Sequence, residues 1–293
     1  MSTHKPLNSD KLSTKLQSLK EKFPSSSFSS LCKKETWELG IDEAGRGPAL
    51  GPMVYASCAW PESLQSELSS IGFFDSKQVK EEDREAFFEI LKQLNGHCLY
   101  FEDKILDPED ISNQMLAKNK VNLNEMSYNA AFSLIQSGIE KLNISNIYID
   151  TVGKPDYYQN ILNNRFNDHP YLKFTVSEKA DAKFPIVSAA SIVAKVNRDH
   201  IVKNWQFREN LQGKNISKEF GSGYPADPNT VKWLQGNQDK VFGFVDFVRF
   251  SWKTIETLLE KNCVKVEFPE ENPLKLGGKS WISNLEFKEN FEL

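Results

Sequence analysis

Three strand-like stretches of this chain run into carboxylates. One begins at Trp37 and ends at Asp42-Glu43, a second covers Asn146–Asp150, and Asp181 follows the third, Lys173–Ser177. In sheets with helical crossovers, sites assemble at the carboxyl ends of strands. Acids gathered there are costly: a like-charged pair ~4 Å apart repels by about 1 kcal/mol in water and roughly 4 kcal/mol near a protein surface. The cluster therefore needs protonation or bound cations, and an all-oxygen set selects hard ones, magnesium first and manganese second. Taken singly, Asp181 also reads as a helix cap and Asp150-Thr151 as the start of a turn. Asp42-Glu43, directly before Gly45-Arg46-Gly47, has less structural use. Successive strand residues face opposite ways, so both acids reach one site only if the chain leaves extended geometry here, which the following glycine permits.

The loop from Gly45 to Gly51 follows a strand but is no dinucleotide fingerprint. Its spacing is one residue too long, Pro48 interrupts it, a strand and not a helix follows, and two carboxylates stand where a pyrophosphate needs positive potential. Its better use is close approach of backbone to a ligand. No phosphate-loop, HExxH or GxSxG sequence is present, and none of His4, His97, His169 and His200 sits beside the acids in sequence, which leaves histidine-based catalysis without support.

The elements that must position these residues can be read from periodicity and caps. A second strand, Met53–Trp60, follows the glycine loop and suggests an antiparallel start. A helix near 79–94, a strand at 97–106 and helices near 108–116 and 123–141 come next, with Asp107-Pro108 as a capped entry. Strand 146–150, helix 155–166, strand 173–177 and helix 184–208 then alternate as a βαβα run, which predicts parallel strands under covering helices. The result is an α/β fold with a mixed sheet flanked by helices, followed by helices at 229–235 and 251–261 as a helical C-terminal extension. Residues 1–35 read as a partly disordered N-terminal extension with an amphipathic stripe (Leu12, Leu16, Leu19, Phe23) and a serine-rich linker. The catalytic body spans 36–212, its helical C-terminal part 213–263, and a polar tail 264–293.

A net charge of −4 means that nucleic-acid binding must come from a local patch and not from the overall field. Lys173–Arg208 holds seven basic residues (Lys173, Lys179, Lys183, Lys195, Arg198, Lys203, Arg208) against three acidic ones, although a solvated helix face has the same composition. Four widely spaced cysteines suggest neither zinc nor disulfides and fit a reducing compartment. The polar N-terminus and the lack of a long apolar run predict an intracellular, soluble protein without membrane partners.

The stretch Gly40–Ala56, GIDEAGRGPALGPMVYA, resembles the first motif of type 2 ribonucleases H. Asp75-Ser76-Lys77, Tyr148–Gly153, Lys179–Ala182 leading into Ser188–Lys195, and Gly221–Pro225 follow in that family's order, so the resemblance spans about residues 37–262. The forms DTVG, GSGYP and FVRFSW, with the long tail, are closest to the catalytic chain of the eukaryotic enzymes. The resemblance implies a ribonuclease H-like fold in which Asp42, Glu43, Asp150 and Asp181 hold two magnesium ions, with manganese as a substitute. It implies that Gly45, Arg46 and Gly47 sense a ribose 2′-hydroxyl and that Tyr224 stacks on the next sugar. Ser76 and Lys77 fall in a segment associated with phosphate contact, and Lys179 falls in the motif that carries Asp181. The implied substrates are RNA–DNA hybrids and duplex DNA with embedded ribonucleotides. Two accessory subunits in a heterotrimer, and a nuclear location with the cytoplasm as second compartment, are implied as well. A DNA nuclease of the same fold would have no 2′-hydroxyl for the Gly45–Gly47 loop to recognise, and a non-catalytic scaffold would have no reason to keep all four carboxylates.

Overall fold

A computed structural model describes residues 9–73, 81–209 and 216–265. Five strands form one sheet: β1 (Trp37–Ala44), β2 (Met53–Pro61), β3 (Tyr100–Leu106), β4 (Ile144–Asp150) and β5 (Lys173–Ser177), in the order β3-β2-β1-β4-β5. β1 pairs antiparallel with β2 and β2 with β3, while β4 runs parallel to both β1 and β5. The mixed sheet expected from the strand–loop–strand start and the later βαβα run is present.

Helices cover both faces: α1 (Ser9–Lys22), α2 (Phe28–Lys34), α3 (Gln65–Ser69), α4 (Glu81–Leu94), α5 (Pro108–Leu116), α6 (Leu123–Lys141), α7 (Pro155–Arg165), α8 (Ala180–Lys183) and α9 (Pro185–Lys203). α10 (Pro228–Gly236) and α11 (Lys253–Asn262) form the C-terminal extension. Strand alternation sorts the core. Val54, Ala56, Cys58 and Trp60 face α4 and α9, whereas Met53, Tyr55 and Ala59, with Leu39 and Ile41 of β1, face α6 and α7. At Gly40 a side chain would meet the Ile186 backbone at 2.5 Å, so glycine lets α9 lie directly against β1. Among the described residues no helix is long and apolar enough to cross a membrane.

Three sequence expectations are corrected. The serine-rich stretch is not a linker: Ser25–Ser27 form a 3-10 turn leading into α2, and Phe28 packs edge-on against Trp37. The stripe on α1 explains this order, because Leu16 and Leu19 are buried in the same core as α4. β3 starts at Tyr100 and not at 97, because Gly96 turns left-handed (φ +77°) and its amide donates to Leu99 O. α9 stops at Lys203, where the Asn204 side chain donates back to His200 O and competes for the helix ladder.

The face that carries α9 also holds a buried acid, Glu38, which accepts from Trp60 Nε1. Burial pushes its carboxyl up to about 7, the Trp60 hydrogen bond opposes this, and Glu62 adds to it. The folded chain thus keeps a proton that the unfolded chain has lost between pH ~4.5 and ~7, so this contribution to stability is present in acid and lost as pH rises through 7. Glu38→Gln should flatten that dependence. Melting curves at pH 5 and pH 8 should show the wild type losing on the order of 2 kcal/mol or less relative to the variant. Parallel curves for the two proteins would contradict the assignment.

Candidate active site

β1 keeps its register with β2 as far as Ala44 opposite Val54. The chain therefore does not leave extended geometry at Asp42-Glu43, as the sequence had suggested. It leaves one residue after the strand, at Gly45 (φ +79°). Asp42 and Glu43 accordingly point to opposite faces at the sheet's carboxyl end.

Asp42 faces α9 and is buried, 5% exposed. Burial first, and then the charge of Asp150, push its carboxyl up to about 7, against hydrogen bonds from Ser191 and the Glu43 amide and the charge of Lys195. Asp150 ends β4, beside β1, and its Oδ1 accepts from the amides of Thr151 and Ala180 at 3.1 Å. That second bond ties the start of α8, where Asp181 is buried, to the end of β4. Glu43 faces the other side, near the buried Tyr55 and Tyr158; burial and then this carboxylate raise the pKa of both hydroxyls. Lys179 is exposed, and its left-handed backbone (φ 53°) turns the chain from β5 into α8. Ser76 and Lys77 lie outside the described residues.

Asp42, Asp150 and Asp181 thus lie at the termini of neighbouring elements, with Glu43 on the opposite face of β1. Asp42 and Asp150 are close enough to perturb each other, and only the Ala180 amide separates Asp150 from the α8 segment. Among the described residues, no three acidic, histidine or cysteine side chains already converge at ligand spacing. The donor chemistry fits a hard divalent ion: the set is all oxygen, and it carries a repulsion that a cation relieves.

A pocket of about 310 Å³ beside these acids is lined by Glu43, Ala44, Gly45, Arg46, Gly47, Lys195, Arg198, Asp199 and Tyr224. It brings the glycine loop together with Tyr224 and adds Lys195 from the basic stretch. Arg198 from the same stretch lines the pocket and also turns its guanidinium inward to the carbonyls of Leu50 and Pro52 at 3.4 and 3.3 Å. Arg46 is half-buried and donates to Ser127 Oγ at 2.6 Å and to Asn124 Oδ1. Its side chain anchors the loop to the first turns of α6, an end fixed by the Asn122–Glu125 capping box.

The residues that fix this loop most firmly were not singled out from sequence. Arg249 is fully buried and donates to Gly51 O at 2.8 Å, Arg46 O at 3.1 Å and Gly45 O at 2.6 Å. Trp252, whose ring lies under the Arg249 guanidinium, donates its Nε1 to Gly47 O at 3.1 Å. Burial, and then the neighbouring Arg198, pull the Arg249 pKa down to about 9, which still leaves it charged at neutral pH. Backbone bonds from Ala49 to Gly223 and from Gly51 to Phe247 complete the clamp, and Ala49 and Leu50 are buried in the core formed by the C-terminal extension. The sequence signal was FVRFSW, an arginine between apolar residues, but its partners lie about 200 positions away.

This geometry agrees with comparisons to known proteins. The family model for ribonuclease HII matches residues 39–255. The A subunit of ribonuclease H2 from Rattus norvegicus is 46% identical over 254 residues, covering 85% of this chain and 82% of that protein. Its counterpart from Arabidopsis thaliana is 48% identical over 243 residues, covering 83% and 80%. The crystal structure of ribonuclease H2 from Pyrococcus horikoshii OT3 superposes with a TM-score of 0.57 at 30% identity, covering 77% of this chain and 98% of that one. With the mixed sheet, the carboxylates at its strand ends and the clamped glycine loop, these matches show that the chain belongs to the ribonuclease HII family and is a nuclease of the ribonuclease H class.

Proposed function

We propose that this chain cuts the RNA strand of RNA–DNA hybrids, and cuts 5′ of single ribonucleotides embedded in duplex DNA, leaving 3′-hydroxyl and 5′-phosphate ends. The observation that carries the reading is the clamped loop beside the carboxylates. Arg249 and Trp252 draw the carbonyls of residues 45–47 to one side. In a trans peptide the N–H points opposite to the carbonyl, so the amides of Arg46 and Gly47 face away from Arg249 and can meet a ribose hydroxyl. Such a site tells ribose from deoxyribose without reading bases.

Asp42, Glu43, Asp150 and Asp181 would hold two magnesium ions, or manganese in their place. When bound, these ions supply an activated water and charge stabilisation for the leaving oxygen. The chain's own residues orient the phosphate. Lys195, near Asp42 and in the pocket, places positive charge by the cut strand, and the rigid loop fixes the sugar.

Tyr224 packs against Gly47, where an added Cβ would come within 2.9 Å of its ring, yet Tyr224 is 51% exposed. An exposed ring held beside the glycine loop supports stacking on a sugar. Tyr224→Ala should therefore lose more activity on one embedded ribonucleotide than on a long hybrid, since a contact worth ~1–3 kcal/mol cannot there be offset by shifting register. Steady-state cleavage of the two substrates is the comparison, and equal losses would remove this role.

The matched relatives are named as a subunit, which supports assembly of this chain with other proteins; the assembly proposed is a heterotrimer with two accessory chains, acting in the nucleus. Residues 266–293 lie outside the described residues and carry Phe268, Leu274, Trp281, Ile282, Leu285, Phe287 and Phe291 among charges. Apolar groups so spaced need a surface to cover them. Truncation after Lys261 should abolish co-purification with the co-expressed accessory pair, and a truncated chain that still co-purifies would contradict a docking role for the tail.

A further inference from the structure

The glycine loop has a second open side. Arg46 and Gly47, which line the catalytic pocket, also line a groove of about 460 Å³ with Met115, Leu123, Ser251 and Trp252. Gly47 is the partition: the Tyr224 ring packs against it from the pocket, and Trp252 holds its carbonyl from the groove. Met115, Leu123 and Trp252 give the groove an apolar, half-buried floor. Met115 and Leu123 are joined by residues 116–122, which carry the exposed Lys118 and Lys120. The acid that follows, Glu125, is turned into the capping box with Asn122. Lys253, next to Trp252, is exposed and paired with Glu256.

A ribose 2′-hydroxyl opens into the minor groove of a duplex. A loop that touches it therefore enters that groove and has one strand on each side. The strand bearing the hydroxyl takes the carboxylate side, so its complement must pass on the other, where this groove lies. An apolar floor suits deoxyribose, which has no 2′-hydroxyl to leave unsatisfied, and exposed lysines on the segment that joins Met115 to Leu123 suit phosphates. We propose that the Met115–Leu123–Trp252 groove binds the uncut, complementary DNA strand, with Lys118 and Lys120 on its phosphates. This rests on the reading of residues 45–47 as a ribose sensor.

The test uses the full chain and duplex DNA with one ribonucleotide. The double variant Lys118→Ala/Lys120→Ala should raise KM about ten-fold, with the loss concentrated in KM, and should lower the slope of log affinity against log salt by about two. Neutral methylphosphonates placed in the complementary strand should then weaken the wild type and largely erase its advantage over the variant. The same replacements in the cut strand should weaken both proteins alike. Loss of the advantage only with cut-strand replacements, or purely additive effects with both, would overturn the assignment of this groove alone. A wild type that leaves the duplex uncut would overturn the ribose-sensor reading itself.

Discussion

Asp42→Asn and Asp150→Asn are each expected to lower cleavage by several orders of magnitude while leaving the fold intact. Each change removes a charge needed to hold a divalent cation but almost no volume. The structure makes the separation of activity from stability testable, because the acids oppose each other: the Asp42 carboxyl is pushed up to about 7 by burial and then by Asp150. Neutralising either one relieves that repulsion, so melting temperature in metal-free buffer should stay level or rise. Cleavage assays beside thermal melts make the comparison, and near wild-type cleavage by Asp150→Asn would remove that residue from the site.

Gly45→Ala should be the next most damaging change. At φ +79° an alanine is strained by about 1–2 kcal/mol. Space is the larger difficulty, because the new Cβ would lie 2.1 Å from Arg198 Nε and 2.7 Å from Pro52 O. Arg198 is held to the carbonyls of Leu50 and Pro52, so neither neighbour yields without moving the loop. Displacement of a positioning element by about 1 Å can cost on the order of a hundred-fold in rate, and a loss of that size or more is expected on a ribonucleotide-containing duplex. Gly96→Ala is the control: its φ is +77°, but nothing lies within 4 Å of the added Cβ. It should cost a little stability and leave cleavage unchanged. Similar activity losses in both variants would show that backbone strain, and not the loop's position, sets the effect.

Local signals in the sequence located most of this arrangement. The bounds expected for β5, α5 and α6 are those observed: Pro108 at the first helical position starts α5, although the Asp107 side chain makes no capping hydrogen bond, and the Asn122–Glu125 box starts α6. The acids near the ends of β1 and β4 were legible because an apolar run leads into each, although β1 continues past Asp42-Glu43 to Ala44. What was not legible depends on tertiary contact. The serine run after α1 has linker composition, and only burial of Leu16 and Leu19 in the core shared with α4 orders it. Arg46 reads as a ligand-facing residue until Ser127 and Asn124 are seen to hold it. Arg249 carries no motif that names its partners, because the carbonyls it holds belong to a loop brought near only when the C-terminal extension folds over Ala49 and Leu50.

Ribose-directed, metal-dependent cutting is measured by incubating the full chain with duplex DNA that contains one ribonucleotide, beside the same duplex made entirely of deoxynucleotides. In magnesium, a single cut is expected on the 5′ side of the ribonucleotide, with 3′-hydroxyl and 5′-phosphate ends, no cut in the all-DNA duplex, and no cut of either in chelator. Equal cutting of both duplexes, or cutting that persists in chelator, would contradict ribose-directed, metal-dependent cutting.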